Sequence, residues 1–335
     1  MRRLNLLIWH IHGSYLNTLA RIDHTWYLPV RDGRPEGYGG RGATFDLPPN
    51  AVEVPIEQVR NLQLDAIVYQ TPKNYTLDAA EILSEAQLRL PSIYLEHNTP
   101  KPDAVHERHP VDDPSVLLVH VTQFNQLMWD NGRTPTMVIE HSVAIDPQAR
   151  YSGTLERGIT VINGMQKRPR ITGYDIFQQV RGHVPLDAVG MTTDEPEIGG
   201  LGDIPYRQLH SRMGAYRLMF SPIRYTSLPL AVVEAMTLGM PVVALATTEL
   251  PTVIEHGSTG FVSCNIDTLV GCMQELLADP AQARRIGDAA RLVARERFSL
   301  ERFTASWNAA LSQVTGVPQG QLNPQPLRLE AGRWA

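Results

Sequence analysis

Cysteine is scarce in this sequence. Cys264 and Cys272 are the only two in 335 residues, so no disulfide framework is expected. Their spacing also excludes a C-x-x-C metal or redox motif. Two isolated thiols are typical of a reducing compartment, and we therefore predict a cytoplasmic protein.

Long apolar runs and a basic excess are also missing. No stretch approaches the roughly 20 apolar residues that a membrane-spanning helix needs, which leaves at most peripheral membrane contact. The formal net charge is −5 and the isoelectric point is near 6.1. Proteins that bind nucleic acid usually carry a strong positive excess, so nucleic acid is not an expected partner.

What the sequence does contain is an alternation of short apolar runs and helical patterns in both halves. A chain of this length exceeds one ordinary hydrophobic core, so two domains are expected. The alternation predicts an α/β fold with two doubly wound parallel sheets. The predicted strands are Leu4–Trp9, Ala66–Tyr69, Ile93–Leu95, Val116–Val121 and Thr136–Ile139, then Thr160–Ile162, Leu186–Val189, Leu218–Phe220, Val242–Leu245 and Gly260–Val262.

The helical patterns and turn residues set the predicted boundaries. A helix is expected over 77–90, another over 230–238, and helical structure from 279 to 314 with a break at Ser299. The stretch 31–49, rich in Gly, Pro and Arg, predicts a long functional loop. We predict domains at 1–148 and 149–298, a helix at 299–315 that returns to the first domain, and a mobile tail at 316–335.

The segment 220–255 is the most informative part of the chain. It predicts strand, loop, helix, strand, loop and helix in turn. Thr226 and Ser227 are good N-caps, and Pro229 is tolerated in a first helical turn. A helix opening of this kind is a ready anion site, and Glu234 lies about one and a half turns further on. Taken singly, these features fit a scaffold helix equally well.

This segment resembles the donor-binding signature of retaining GT-B glycosyltransferases of family 4. The signature places an acidic residue, seven others, and then Glu-Ala-Met-x-x-Gly-x-Pro-Val-Val. The residues that match in register are Glu234, Ala235, Met236, Gly239, Pro241, Val242 and Val243, followed by Glu249, Val253, Ile254, Glu255, Gly257, Gly260 and Phe261. The resemblance implies two Rossmann-like domains facing a central crevice, with the acceptor side first and the nucleotide-sugar donor side second.

The resemblance also implies roles for individual residues of the second domain. Glu234 is expected to bind the ribose hydroxyls of the donor. Thr226 stands where the family has its first acidic residue, so it is expected to contact the donor sugar without supplying negative charge. The other residues implied in donor binding are Ser227, Leu228, Pro229, Thr248 and Glu249.

The family neutralises the donor diphosphate with an arginine and a lysine after the first strand of this domain. Lys167 stands where the arginine would, and Thr172 occupies the lysine position. Arg168 and Arg170 lie close by, so we predict that these three cations, with Lys167 in a catalytic role, bind the diphosphate. A solvated loop is the alternative interpretation of such a charge run.

In the first domain, Gly13 follows strand one where the family approaches the diphosphate with backbone N–H groups. His10 and His12 would share a side of an extended strand. With Arg41 they are assigned to the acceptor side, and a metal pair is not expected because no acidic or cysteine partner lies near. His97 stands where relatives keep an active-site histidine, although a structural loop histidine is an equal alternative.

The expected activity is therefore a retaining hexosyltransferase without a metal or other cofactor, using a nucleoside diphosphate sugar as co-substrate. The acceptor is an unidentified glycan, lipid-linked or small-molecule hydroxyl. Two alternatives stay open. Thr226 favours a catalytically impaired nucleotide-sugar-binding subunit, and a GT-B epimerase or phosphorylase has less support. The nucleotide base, the sugar and the oligomeric state are not determined by the sequence.

Overall fold

The structure is a computed structural model and describes residues 1–327. The chain forms two compact units. Among the described residues, the first contains Met1–Ala144 and 300–327, and the second is Ile145–Ser299. The chain leaves the first unit four residues before the predicted boundary at 148 and re-enters it at Leu300.

Each unit is built on one sheet in which every strand pairs in parallel with its neighbours. The first sheet has the order β3-β2-β1-β4-β5-β6-β7 and the second the order β12-β11-β10-β8-β9. The strands are β1 Asn5–Ile8, β2 Thr25–Val30, β3 Ala51–Pro55, β4 Ala66–Tyr69, β5 Ser92–Glu96, β6 Val116–His120, β7 Thr136–Val138, β8 Leu155–Val161, β9 Leu186–Val189, β10 Tyr216–Ser221, β11 Val242–Leu245 and β12 Phe261–Ser263.

Helices connect the strands, as parallel pairing requires. They are α1 Gly13–Leu19, α2 Ile56–Val59, α3 Ala79–Ile82, α4 Gln123–Met128, α5 Pro169–Thr172, α6 Tyr174–Arg181, α7 Tyr206–Ala215, α8 Leu230–Leu238, α9 Leu250–Val253, α10 Ile266–Ala278, α11 Pro280–Arg297 and α12 Leu300–Thr315. Within residues 1–327, none of these helices is long and apolar enough to cross a membrane.

The first core is completed by the last helix. Phe303 and Trp307 of α12 are fully buried and pack in one apolar cluster with Leu6 and Ile8 of β1. The Trp307 indole N–H donates to the hydroxyl of Tyr15 at 3.1 Å. The central strands β4, β5 and β6 are buried along their whole length, which is typical of a parallel sheet covered on both faces.

Two parts of the first unit differ from the sequence prediction. Strands β2 and β3 were not predicted. Each contains a proline, which the sheet accommodates because β3 is an edge strand and Pro29 lies beyond the part of β2 that pairs with β1. The helix predicted over 77–90 is broken. Its place is taken by a π-helical turn at Asn74–Asp78, the short α3 and a 3-10 turn at Gln87–Arg89. The predicted loop lies between β2 and β3.

The tail predicted to be mobile from 316 onward is packed over its described part, so that prediction is wrong for residues 316–327. Val317 and Leu322 are buried in the first core. The backbone N–H of Arg2 donates to the carbonyl of Gln321 at 2.8 Å, and a similar bond joins Leu327 to Arg21. Apolar side chains and backbone pairing fix this segment. The rest of the predicted tail lies outside the described residues.

The second unit brings helix α8 close to helix α11. Gly239 ends α8 in the left-handed conformation with φ +88°, as the sequence predicts for a glycine followed by Pro241. A Cβ on Gly287 of α11 would overlap the carbonyl oxygen of Gly239, so only glycine permits this approach. The contact fixes the far end of α8, whose other end lies at the carboxyl edge of the sheet.

Candidate functional site

The carboxyl edge of the second sheet gathers the loops that carry the sequence signature. Strands β8 and β10 are parallel neighbours, so their following loops leave from the same edge. The loop after β8 runs from 162 to 173 and carries the cationic residues. The loop after β10 runs from 222 to 229 and leads into α8. Ligands of open α/β sheets bind at such an edge.

These two loops are joined directly. Gly173 has φ +76° and packs so tightly on the carbonyl of Pro222 that a Cβ would overlap it. The backbone N–H of Arg224 donates to the carbonyl of Ile171 at 2.9 Å. Gly173 therefore fixes one loop against the other, and glycine is required at the contact.

An ion-pair network strengthens this junction. The Arg224 guanidinium bonds both carboxylate oxygens of Asp175, at 2.6 and 2.7 Å, and Arg170 bonds the same carboxylate at 2.6 Å. These hydrogen bonds, that of Arg224 above all, lower the pKa of Asp175 to about 2. Arg170, predicted to bind diphosphate, is thus engaged with Asp175. Arg224 was not singled out in the sequence.

Two predicted cations have a different environment. Lys167 and Arg168 are exposed on the turn after β8, and neither forms an ion pair with any residue in the described chain. Gly164, with φ +58°, forms the turn that precedes them. Exposed, unpaired cations at this edge can neutralise an anion, which is the chemistry predicted for them.

Helix α8 opens differently from the prediction. Its first residue is Leu230, and Pro229 occupies the N-cap position in an extended conformation, with no side-chain cap hydrogen bond of its own. Pro229, and not Thr226 or Ser227, is therefore the N-cap residue, so that prediction is wrong. Ser227 and Leu228 are buried, and the Thr248 hydroxyl donates to the carbonyl of Ser227 at 3.3 Å. The first turn of α8 therefore receives no cap from its N-cap residue.

Glu234 lies on the second turn of this helix. It is 3% exposed and is the only charged residue in an otherwise apolar helix. Its Oε1 accepts a hydrogen bond of 3.0 Å from the Tyr206 hydroxyl and lies 3.7 Å from His210 Nε2. Both partners belong to α7, and neither was predicted as a site residue.

Glu249 is held by its own chain. Its Oε1 accepts a hydrogen bond of 2.9 Å from the Thr252 hydroxyl and lies 3.5 Å from Arg297 of α11. The residue is 2% exposed and starts helix α9. The structure therefore places its carboxylate in a structural ion pair. Its backbone lies beside Thr248, which has a left-handed φ of +52° at this edge.

The carboxyl edge of the first sheet carries aromatic and imidazole rings. The ring centroids of His12 and His97 are 4.0 Å apart, and Tyr15 lies 4.8 Å from His97. The Gln70 amide donates to the carbonyl of Trp9 at 2.6 Å, so its oxygen accepts from His97 Nε2 at 2.9 Å. Burial lowers the pKa of His97 well below its usual value and that of His12 to about 4. Both rings are neutral at neutral pH.

His141 continues this cluster. Its ring is fully enclosed, and neither ring nitrogen has a hydrogen-bond partner among residues 1–327. Burial, assisted by the positive charge of Arg302, lowers its pKa to about 3. Arg302 donates to the backbone carbonyl of His141 at 2.8 Å. These contacts place His141 in the interior of the first unit, in agreement with a structural role.

Three predicted residues of the first unit are bound by its long loop. His10 Nδ1 bonds the carbonyl of Gly40 at 2.6 Å, and β1 ends at Ile8, so His10 and His12 do not share a strand face. A Cβ on Gly13 would lie 2.6 Å from the Phe45 ring. The Arg41 guanidinium donates to the carbonyls of Leu47 and Pro48 in the loop and of Ala51 at the start of β3. Arg41 therefore joins the loop to β3.

Among residues 1–327, no group of three or more His, Cys, Asp and Glu side chains has the arrangement of a metal site.

Comparisons with known proteins agree with the geometry of the second unit. Residues 195–293, which include α7 and Glu234, match the family model of glycosyl transferases group 1. A protein of Haemophilus influenzae named as an uncharacterized glycosyltransferase is 30% identical over 93 residues, which is 27% of this chain and 26% of that protein. The match therefore spans about a quarter of that relative's length.

Solved structures resemble the chain over nearly its whole length. HepE of Anabaena in complex with UDP-glucose has a TM-score of 0.72 at 16% identity and covers 93% of this chain and 100% of its own. Sucrose-phosphate synthase of Thermosynechococcus elongatus has a TM-score of 0.70 at 14% identity, with 95% and 100% covered. This likeness confirms the predicted GT-B fold of two parallel α/β sheets.

Residues missed by the sequence prediction share one property. Arg224, Tyr206 and His210 act through partners that are distant in the chain. A signal for Arg224 was present, since it lies in the same loop as Thr226, but its partner was not apparent. The predicted cluster of Lys167, Arg168, Thr226 and Glu234 does lie on loops and a helix of the same sheet edge.

Proposed function

We propose that this chain is a retaining glycosyltransferase that transfers a hexose from a nucleoside diphosphate sugar to a hydroxyl acceptor. The observation that carries the proposal is the carboxyl edge of the second sheet. There, two cations that form no ion pair within residues 1–327, the opening of helix α8 and a buried carboxylate lie on adjacent loops and on the helix that follows them. The cations and the helix opening suit a diphosphate, and the carboxylate suits the hydroxyls of a ribose.

The cations and the helix opening are suited to a leaving diphosphate. Lys167 and Arg168 supply positive charge after β8, and the helix start at Leu230 adds the positive end of the α8 dipole. Stabilising the charge that develops on a leaving group is a large term in electrostatic catalysis. Arg224 and Asp175 serve this arrangement by holding the two loops together.

Glu234 is suited to the ribose. An ionised carboxylate only accepts hydrogen bonds and has about four acceptor positions, so two vicinal hydroxyls can bind one carboxylate. The resemblance of the segment to the family signature and the match of residues 195–293 support this role. UDP-sugars are the first donors to test, because HepE was solved with UDP-glucose.

The first experiment measures release of nucleoside diphosphate from UDP-, GDP- and ADP-sugars with a set of glycan, lipid-linked and small-molecule hydroxyl acceptors. Acceptor-dependent release from one donor class is expected, and NMR of the product should show the anomeric configuration of the donor. Tight binding of a donor with no release of nucleoside diphosphate, whichever acceptor is added, would exclude a transferase. An inverted product would contradict retention.

We further propose that the reaction needs no metal ion, because Lys167 and Arg168 provide the charge that a metal would otherwise supply. Turnover is expected to be unchanged by EDTA. A loss of turnover in EDTA that Mg²⁺ or Mn²⁺ restores would overturn this part of the proposal. Cytoplasmic location and, at most, peripheral membrane contact belong to the same proposal and are tested by fractionation of the producing cells.

A second candidate function rests on Thr226. This residue is half-buried in the loop before α8, at the place where the family signature has an acidic residue. Threonine cannot supply negative charge beside a developing oxocarbenium ion, which favours a subunit that binds donors without turning them over. A Thr226→Glu variant distinguishes the two. Turnover gained only in the variant supports the binding subunit, whereas turnover already present in the wild type supports the transferase.

A further inference from the structure

Two side chains of α7 converge on one oxygen of Glu234. The Tyr206 hydroxyl donates to Oε1 at 3.0 Å, and His210 Nε2 lies 3.7 Å from the same atom. Tyr206 and His210 are four residues apart, so they lie on one face of the helix. Their ring centroids are 4.9 Å apart, with the planes at 75°. The two rings therefore pack against each other beside the carboxylate.

The position of the proton on His210 follows from its other nitrogen. Nδ1 accepts a hydrogen bond of 3.2 Å from the backbone N–H of Asp146. The neutral ring therefore carries its proton on Nε2, the nitrogen that faces Glu234. His210 is 1% exposed, and Nε2 has no hydrogen-bond partner among the described residues. A buried donor is thus aimed at the carboxylate from just beyond hydrogen-bonding distance.

Helix α8 offers no other reason for a charged residue at this position. Its remaining buried side chains are apolar, and a buried carboxylate costs free energy unless hydrogen bonds compensate for the lost water. Polar groups that break the local pattern in this way are often found at functional sites. The two donors on α7 approach Oε1, which leaves acceptor positions on Oε2 for a ligand.

We propose that Tyr206 and His210 are positioning residues, which hold Oε1 of Glu234 so that Oε2 is presented to the vicinal hydroxyls of the nucleotide ribose. This inference rests on the proposed function, because it needs a nucleotide at Glu234. Neither residue is assigned a contact with the reacting atoms. Their effect is expected in the recognition of the ribose and not in that of the diphosphate.

The experiment compares two ligands in calorimetry, UDP and 2′,3′-dideoxy-UDP, or the corresponding GDP or ADP pair where the donor panel identifies that base. The wild-type protein is expected to bind the dideoxy nucleotide on the order of 100-fold more weakly, because it lacks the hydrogen bonds to a charged group. Tyr206→Phe is expected to reduce this ratio to roughly 10, with the affinity for the dideoxy nucleotide unchanged.

A matched control lies in the same unit. Tyr216 on β10 donates to Asp187 Oδ2 at 2.8 Å, so Tyr216→Phe removes an equivalent tyrosine–carboxylate bond at the opposite edge of the sheet. This variant is expected to lower thermal stability and keep the wild-type ratio. At His210, Gln retains an N–H donor and should preserve most of the ratio, whereas His210→Leu should reduce it as Tyr206→Phe does.

The possible outcomes bear separately on the inference, on the ribose assignment of Glu234 and on the proposed function. A Tyr206→Phe protein with the full wild-type ratio would overturn the inference and leave the proposed function intact. Tighter binding of UDP by this variant would also overturn it, because Tyr206 would then occupy the place of a ribose hydroxyl. A wild-type protein that does not distinguish the two nucleotides would remove the ribose assignment of Glu234 itself. Absence of any nucleotide binding would refute the proposed function.

Discussion

The carboxyl edges of the two sheets share a topology and differ in chemistry. The second edge presents Lys167 and Arg168, which are exposed and form no ion pair within residues 1–327, beside the opening of helix α8. The first edge carries His12 and His97, which burial keeps neutral. We infer that the second edge is suited to anions and the first to uncharged polar groups such as hydroxyls. Similar parallel sheets therefore give different sites, because the loops that follow the strands differ.

The loops explain the contrast. In the first unit, the long loop between β2 and β3 folds back on the residues after β1, where Gly40 bonds His10 and Phe45 covers Gly13. In the second unit, Gly173 and Arg224 fix the loop after β8 against the loop after β10, and its cations stay exposed. Polar residues after a strand can thus serve a ligand or the loop itself.

The largest expected effect follows from removing the exposed cations. Lys167→Ala combined with Arg168→Ala should reduce turnover about 100- to 1,000-fold, since both stabilise charge on the leaving diphosphate. Nucleoside diphosphate release under saturating acceptor measures it. The matched control replaces Arg285 and Arg295, two exposed cations of α11, and should change turnover less than about twofold. Equal losses of turnover in both variants would contradict a specific role for the cations at the second edge.

Glu234→Ala is expected to weaken nucleoside diphosphate binding by roughly 30- to 100-fold, because the ribose loses a charged hydrogen-bond acceptor. Calorimetric titration gives the dissociation constant. Thr237→Ala on the same helix removes only a hydroxyl bonded to the carbonyl of Val233 and serves as the control. Unchanged affinity in Glu234→Ala would place the nucleotide elsewhere.

At the first edge, the buried histidines are expected to make the free energy of unfolding decrease in acid. His141 is neutral in the folded unit, with its pKa lowered to about 3 by burial, whereas an unfolded histidine titrates near 6.5. Its contribution to stability is therefore complete above pH 6.5 and decreases as the pH falls toward the folded pKa. Between pH 7.5 and 5 this loss is about 2 kcal/mol.

Urea unfolding of wild type and His141→Leu at the two pH values measures this contribution. The variant should lose about 2 kcal/mol less free energy of unfolding on acidification, and removal of two unpaired ring nitrogens should cost little at pH 7.5. An unaltered pH dependence in His141→Leu would show that His141 is not held neutral by burial.

The smallest effect is expected at Arg41. Because its guanidinium bonds three backbone carbonyls of the loop and of β3, Arg41→Ala should lower the stability of the first unit by about 1 kcal/mol. Donor affinity and the Michaelis constant of the acceptor should stay at wild-type values. A selective rise in that constant without a loss of stability would support the predicted acceptor-side role of Arg41.

Several elements were predicted with the bounds that the structure shows. Helix α8 and strands β4, β9 and β11 are apolar runs with glycine, proline or polar residues at their ends, and such local signals need no tertiary partner. The failures have the opposite origin. Strand β3 is an edge strand, and Pro29 lies beyond the part of β2 that pairs with β1, so only their place in the sheet accommodates these prolines.

In the candidate site, too, the sequence indicated the features that are local in the chain and missed the contacts between distant residues. The sequence indicated Lys167, Arg168, Thr226 and Glu234, because their order around one strand-loop-helix pattern is local. It did not indicate that Arg170 is engaged with Asp175 or that Glu249 is held by Arg297. Arg224 meets Asp175 across 49 residues and Tyr206 meets Glu234 across 28, so no short pattern reports these contacts.

By itself, the sequence determined the alternation of strands and helices, the length of α8 with its end at Gly239, and the position of Glu234 along that helix. The tertiary structure decided which charges are exposed, which are paired and which imidazoles are neutral. The reason is physical. Helix and strand formation depend on neighbours a few residues away, whereas ion pairing and desolvation depend on which distant segments pack against a group.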